Sequence, residues 1–178
     1  GDPTFQPSLL YMSTELANPT TRTVEAAERI VGYAEKHPNR GVHYRASDMV
    51  LKIQSDASHH GLPGSRSVAG GIFYLTDKND PPDRLNGQID TLCKIIDTSV
   101  CAAASESEYA TLYMNGQRGC HPRVILNELG YTQPPTTIYT DNIVAKGIAH
   151  DEVTLRRSKA IHTRYHWIRD RVRQNQYN

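Results

Sequence analysis

The chain has 178 residues and a mass of 19.9 kDa, the size of one ordinary domain able to bury a core. A 38% hydrophobic and 22% charged composition excludes global disorder, and 20 basic against 19 acidic residues exclude a polycation or an acidic tail. No apolar run is long enough to span a membrane, and Gly1 to Thr4 carry no signal-peptide pattern. Cys93, Cys101 and Cys120, odd in number and without a Cys-x-x-Cys pair, predict no disulfide partner, no Cys-rich zinc site and an intracellular, reducing location.

Asn18-Pro19-Thr20-Thr21 supplies breakers and cap residues, and Val24, Ala27, Ile30, Val31 and Ala34 then recur at helical spacing to about Lys36. His37-Pro38-Asn39-Arg40-Gly41 stops that helix. Val42–Arg45 and Met49–Ser55 read as two strands joined by a turn at Ala46-Ser47-Asp48, the second leading into Asp56. A turn at His60–Ser65 precedes a strand over Val68–Thr76, a loop over Asp77–Gly87, and a third strand of the meander over Ile89–Ile96. The chain becomes helical from about Ala102 to Leu129, with a break or kink expected at His121-Pro122 and Gly130 as terminator. Thr137–Thr140 forms a short strand delivering Asp141, a short helix spans Asn142–Ala149, and a last helix spans Ser158–Gln174 with Ile161, Tyr165, Ile168 and Val172 on one face. Three antiparallel strands, a helix, a strand and further helices make an α/β (α+β) layout on a mixed sheet.

The neutral total hides an asymmetry. Residues 156–173 carry a local +6 and the remainder −5, which suits an anionic partner for one face as well as a solvated helix face. Asp56 and Asp141 end predicted strands, and Glu106 and Glu108 open the helix between them. Singly, such acids are ordinary turn and cap residues. Converging from strand, helix and strand, they make an oxygen-rich pocket suited to Mg²⁺ or Mn²⁺, and paired ions there can clamp both oxygens of a phosphodiester displacement.

Several segments follow one another in a telling order. They are Ser55-Asp56-Ala57-Ser58, Arg66-Ser67-Val68-Ala69-Gly70-Gly71, Ala104-Ser105-Glu106-Ser107-Glu108-Tyr109, Ile138-Tyr139-Thr140-Asp141-Asn142, Arg157-Ser158-Lys159 and Arg164-Tyr165-His166-Trp167-Ile168-Arg169. Together they resemble the ribonuclease H domain of Ty1/copia-type retrotransposon polyproteins. The stretch from Tyr11-Met12-Ser13 to Tyr33 is similar to the end of the reverse transcriptase that leads into that domain. The resemblance implies an RNase H-like fold over residues 46–178, incomplete at its C-terminal side, after a reverse transcriptase-derived segment over 1–45 with one helix and a first strand. It implies a metal-dependent endonuclease that cleaves the RNA strand of RNA–DNA hybrids with two Mg²⁺ or Mn²⁺ ions, beside the reverse transcriptase of the same polyprotein, in the cytoplasm or a virus-like particle.

Matched residue by residue, the resemblance makes Asp56, Glu108 and Asp141 the catalytic metal ligands. Glu108 is chosen over Glu106 because Glu108-Tyr109-Ala110 fits the family pattern and the two glutamates point about 160° apart on a helix. Ser58, Arg66, Ser67 and Asn142 are the candidate substrate contacts. The family supplies a fourth carboxylate from an Ala-Asp segment beyond the basic helix; Asp170 lies on a different element, and His162 stands where relatives commonly carry an acid. These departures motivate an alternative: a catalytically weak or inactive RNase H-like module that binds nucleic acid or acts as a scaffold. His59-His60 could touch a scissile phosphate or be an exposed turn pair. His162 and His166 have zinc-compatible spacing but lack the Glu-containing run of a zinc hydrolase.

Overall fold

The computed structural model describes residues 2–79, 81, 84–96, 101, 103–150 and 159–178, without the side chains of 148 and 159–165. The chain divides into two units, Gly1–His43 and Tyr44–Asn178. In the first, α1 (Gln6–Ser13) precedes α2 (Thr21–Lys36). The Thr23 hydroxyl accepts from the Thr20 N–H (3.1 Å) and donates to Glu15 (2.7 Å), so one buried threonine fixes the entry to α2. Phe5 meets Tyr33 edge to face, with ring centroids 5.6 Å apart. The sequence reading holds no helix at α1.

The second unit is built on a four-stranded sheet of β1 (Val50–Leu62), β2 (Arg66–Thr76), β3 (Gln88–Ile95) and β4 (Thr137–Tyr139), in the order β3-β2-β1-β4. β1, β2 and β3 form the antiparallel meander, and β4 joins β1 in parallel through Lys52↔Thr137, Ile53↔Ile138 and Gln54↔Tyr139. Helices α3 (Ala104–Glu128), α4 (Ile143–Ala149) and α5 (Lys159–Arg173) complete the unit. The mixed α/β class with an antiparallel three-strand meander is therefore the fold observed.

Three local expectations are corrected. Residues 42–45 form no strand: Arg45 is tied instead through side chains, its N–H to Asn86 (2.9 Å) and its guanidinium to Asp77 (2.9 Å). β1 does not turn at His60. It passes through a bulge between Ser58 and Leu62, with His60 in the left-handed region (φ 52°), and the hairpin closes at Pro63-Gly64-Ser65, where Gly64 and Ser65 have φ of 77° and 54°. Pro122 does not break α3, which runs on to Glu128. The helix is anchored on both sides of it: Arg118 makes a paired contact with Asp90 (2.6 and 2.7 Å), and Arg123 bonds the Pro134 carbonyl and Thr136. Such contacts offset the roughly 3 kcal/mol that an interior proline costs.

The core explains where α3 must lie. Leu51, Ile53, Ala69 and Phe73 are fully buried and form a cluster with Leu92, Ala110 and Leu126. Close approach needs small residues on the helix. A Cβ on Gly119 would lie 2.7 Å from Ile53 Cδ1, and one on Gly116 would lie 3.0 Å from the Trp167 ring. A second cluster joins Tyr109 and Leu112 of α3 to Ala145 of α4 and Ile168 of α5, with Val172 against it. Ile168 and Val172 thus face inward as the α5 pattern predicts; Ile161 and Tyr165 lie among the undescribed side chains. The segment 176–178 lies along β4, with Thr136 N–H bonding the Gln176 carbonyl (2.8 Å) and Ile138 N–H the Asn178 carbonyl (3.0 Å).

Candidate active site

β4 ends at Tyr139, whereas β1 continues past it, so among the described residues β1 has no strand on that side from Asp56 onward. The bend that follows β4 carries Asp141 into this gap, and the first turns of α3 present Glu108 to it. Oxygens of Asp56, Glu108 and Asp141 all lie within 4.8 Å of one another. These acids are 85 residues apart in the chain at their extremes, so the topology, not local sequence, brings them together. Glu106 is not part of the cluster.

The three carboxylates differ in surroundings. Asp56 and Asp141 are exposed, while Glu108 is only 8% exposed. Glu108 Oε1 accepts a long hydrogen bond from the Ala57 N–H (3.3 Å), and Oε2 is buried with no hydrogen-bond partner among the described residues. Burial, then the neighbouring charge of Asp56, pushes the Glu108 carboxyl from its ordinary 4.5 up to about 7; Asp141 adds to the rise and the Ala57 N–H opposes it. Two unit charges 4 Å apart repel by about 4 kcal/mol at the effective dielectric of a protein surface. A trio of acids with one orphaned oxygen therefore calls for a compensating cation. The donors are all hard oxygens, the set that suits Mg²⁺ or Mn²⁺, and the residues fit such an ion.

The remaining sequence candidates divide. Ser58 is exposed, two residues along β1 from Asp56, and Arg66 is exposed at the start of β2 with its Nε–H on the Pro63 carbonyl (2.9 Å). Both lie on the hairpin beyond the acids. Ser67 does not fit the substrate role: it is 3% exposed and its hydroxyl accepts the His60 N–H (3.2 Å), which holds the bulge. Asn142 caps α4, its side-chain oxygen accepting the Ala145 N–H (3.0 Å).

His59 and His60 lie within β1 and stack with ring centroids 3.8 Å apart. His60 Nε2 pairs with the Cys101 carbonyl (3.0 Å), and His59 Nδ1 is 3.4 Å from the hydroxyl of Ser107, the residue before Glu108. A carbonyl only accepts, so His60 Nε2 carries the proton. His166 is exposed on α5; the side chain of His162 lies outside the described residues, as do residues 156–158. Asn115 on α3 was not singled out from the sequence, yet its buried carboxamide bonds Ser55 and Gly70 beside Asp56. The signal was the Gly70-Gly71 pair inside a strand, a mark of close approach by another group.

No protein-family profile matches the chain. Among curated proteins it is similar to the "Retrovirus-related Pol polyprotein from transposon TNT 1-94" of Nicotiana tabacum, with 27% identity over 162 residues. That alignment takes in 90% of this chain and 11% of the polyprotein, so the chain spans only a small part of its relative. Among solved structures it is similar to the N-terminal RNase H domain of a Mycobacterium tuberculosis protein, solved as a fusion with maltose-binding protein. The TM-score is 0.48 at 12% identity, over 72% of this chain and 78% of that one. The resemblance to retrotransposon polyproteins carried by the ordered motifs is thus present in an alignment over 90% of the chain. Among the described residues no helix is long and apolar enough to cross a membrane.

Proposed function

We propose that residues 44–178 form an RNase H-like nuclease domain of a retrotransposon polyprotein, hydrolysing the RNA strand of RNA–DNA hybrids at Asp56, Glu108 and Asp141. Residues 1–43 are then the tail of the reverse transcriptase that precedes it, and the reaction takes place inside the cell. The observation that carries this reading is the meeting of three acids from β1, α3 and the bend after β4 within 4.8 Å. Their order along the chain is the order in which the polyprotein resemblance calls for catalytic carboxylates.

In this reading Asp56, Glu108 and Asp141 would hold the divalent cations. Bound there, the ions would supply charge neutralisation and polarisation of the phosphodiester oxygens. The acids alone repel a polyanion, so substrate and cation bind together or the cation binds first. Arg66, a planar donor on the hairpin beyond the acids, suits a backbone phosphate, and Ser58 suits a phosphate or a ribose hydroxyl. Glu108, whose carboxyl is pushed up to about 7 by burial and the neighbouring acids, is the carboxylate whose charge a bound cation would most favour. The positive local charge of residues 156–173 suits phosphates beyond the scissile one.

The test is cleavage of an end-labelled RNA–DNA hybrid with Mg²⁺ or Mn²⁺, wild type against Asp56→Asn. Metal-dependent cutting of the RNA strand that the substitution abolishes is the expected result. Cutting that persists in the mutant removes the assignment. Tight, salt-sensitive hybrid binding with no cutting would leave a nucleic-acid-binding module instead.

A further inference from the structure

We infer that Asn115 is a positioning residue for the acid cluster, clamping β1 and β2 to α3 on either side of Asp56 and so setting its distance from Glu108. The inference deepens the reading of the cluster as a cation site.

Asn115 lies seven residues after Glu108 on α3. At 100° per residue these two side chains project within about 20° of each other, two turns apart on the face toward the sheet. Asn115 is fully buried, and its Nδ2 group donates to the Ser55 hydroxyl (2.9 Å) and to the Gly70 carbonyl (2.9 Å). Both acceptors adjoin Asp56: Ser55 precedes it on β1, and Gly70 is its cross-strand partner on β2. On the other flank, Ala57 N–H donates to Glu108 Oε1 (3.3 Å). Helix α3 therefore grips the three-residue run Ser55-Asp56-Ala57 from both ends, with one cross-link from Asn115 and one from Glu108.

The chemistry of the clamp is specific. Two hydrogens on one nitrogen reach two strands at once, which Asp and Leu cannot reproduce and which a single hydroxyl reproduces for one strand only. Room for it comes from Gly71, where any Cβ would collide with Asn115 Oδ1. That oxygen is buried without a hydrogen-bond partner among the described residues. Space-filling alone does not account for this arrangement, since an apolar side chain would avoid leaving a buried polar atom unpaired. A polar group retained at such a place specifies one arrangement of strand and helix over its neighbours.

The test uses Asn115→Leu, which removes both bonds, and Ser55→Ala, which removes only the β1 arm. Amide hydrogen exchange of the metal-free protein reads the clamp directly, with the Ala57 N–H compared against the Phe73 N–H in the core. The expected result is Ala57 exchange faster by about tenfold in both variants with Phe73 much less affected, and Mn²⁺ affinity by calorimetry weaker by about threefold to tenfold. Equal acceleration at Ala57 and Phe73 would mean general destabilisation and would overturn the inference, as would unchanged exchange and affinity in a folded variant. If Asn115→Leu does not fold, Ser55→Ala decides by the same readings. Wild-type protein that takes up no Mn²⁺ would overturn the cation-site reading, and the exchange data would still judge the clamp.

Discussion

Between Val50 and Ser55 nearly every side chain of β1 is buried, whereas between Asp56 and Gly61 none is. The same strand pairs with β2 along most of its length, so sheet hydrogen bonding does not make the difference. The first half has β4 on its other edge along Lys52–Gln54 and the Ile53–Gly119 contact with α3 beneath it. The second half has outrun β4, and its free edge receives Asp141 and Glu108. Burial is concentrated around the stretch where β1 is flanked on both sides, and the acids gather just beyond the end of that flanking. A chain can hold mutually repelling carboxylates in place because the six residues before them are fixed by the core.

The largest effect expected from breaking this contrast is on chemistry. On the proposed reading, Asp56→Asn should lower metal-dependent hybrid cleavage by about a thousandfold or more, since it removes one of the carboxylates that would hold the cations. The same substitution removes a negative charge beside Glu108, so thermal stability at pH 7 should hold or rise. A coupled fall in activity and in melting temperature would show that Asp56 belongs with the structural half.

Next comes the core half. Ile53 is fully buried and sits in the notch left by Gly119. Ile53→Ala should cost about 3–4 kcal/mol in denaturant unfolding, by lost transfer energy and the cavity left behind. Ser58→Ala, on the exposed half, should cost less than about 0.5 kcal/mol.

A third effect follows from Glu108, whose carboxyl is pushed up to about 7 in the fold from an ordinary 4.5. Within that window the folded state binds more protons than the unfolded one, so stability is greatest below pH 4.5 as far as this group is concerned and declines as pH rises toward 7. The decline should amount to roughly 1–3 kcal/mol, reduced by the solvent that reaches the neighbouring acids. Glu108→Gln should flatten the slope in denaturant titrations across that range, and millimolar Mg²⁺ should flatten it in the wild type. An unchanged slope in the variant would assign the pH dependence elsewhere.

Much of this contrast could be read from the residues, for identifiable reasons. Apolar Val50, Leu51 and Ile53 leading into Asp56 mark a buried strand segment that runs into an acid, and the ordered motifs tie that acid to Glu108 and Asp141. Hidden from sequence were features set by distant partners. Val42–Arg45 alternates like a strand, yet Asn86 and Asp77 capture Arg45 in loop form. His60–Ser65 reads as a turn from its first residue because the bulge that carries β1 on to Leu62 depends on Ser67 and Cys101. Pro122 reads as a breaker because the contacts of Arg118 and Arg123 are remote. Ser67 and Asn142 have the right chemistry for substrate but are engaged by His60 and α4. Polar residue type records what a side chain can bond, and only the fold records which bonds are already made.

The smallest effect concerns backbone conformation, and it separates the two halves without touching a carboxylate. Gln54 is in regular strand geometry, partly buried, so Gln54→Val places a β-branched residue where the extended chain favours one, and the change in stability should stay within about 0.5 kcal/mol. His60 has φ of 52°, a region that β-branched residues occupy only with strain. His60→Val should therefore cost about 1–2 kcal/mol in backbone energy, besides the hydrogen bond to the Cys101 carbonyl. His60→Asn loses the ring stack and that bond but accepts the left-handed conformation, so it isolates the backbone contribution by difference. If the valine and asparagine variants unfold at the same denaturant concentration, the bulge relaxes at no cost, and the exposed half of β1 is held by its side chains rather than by its backbone.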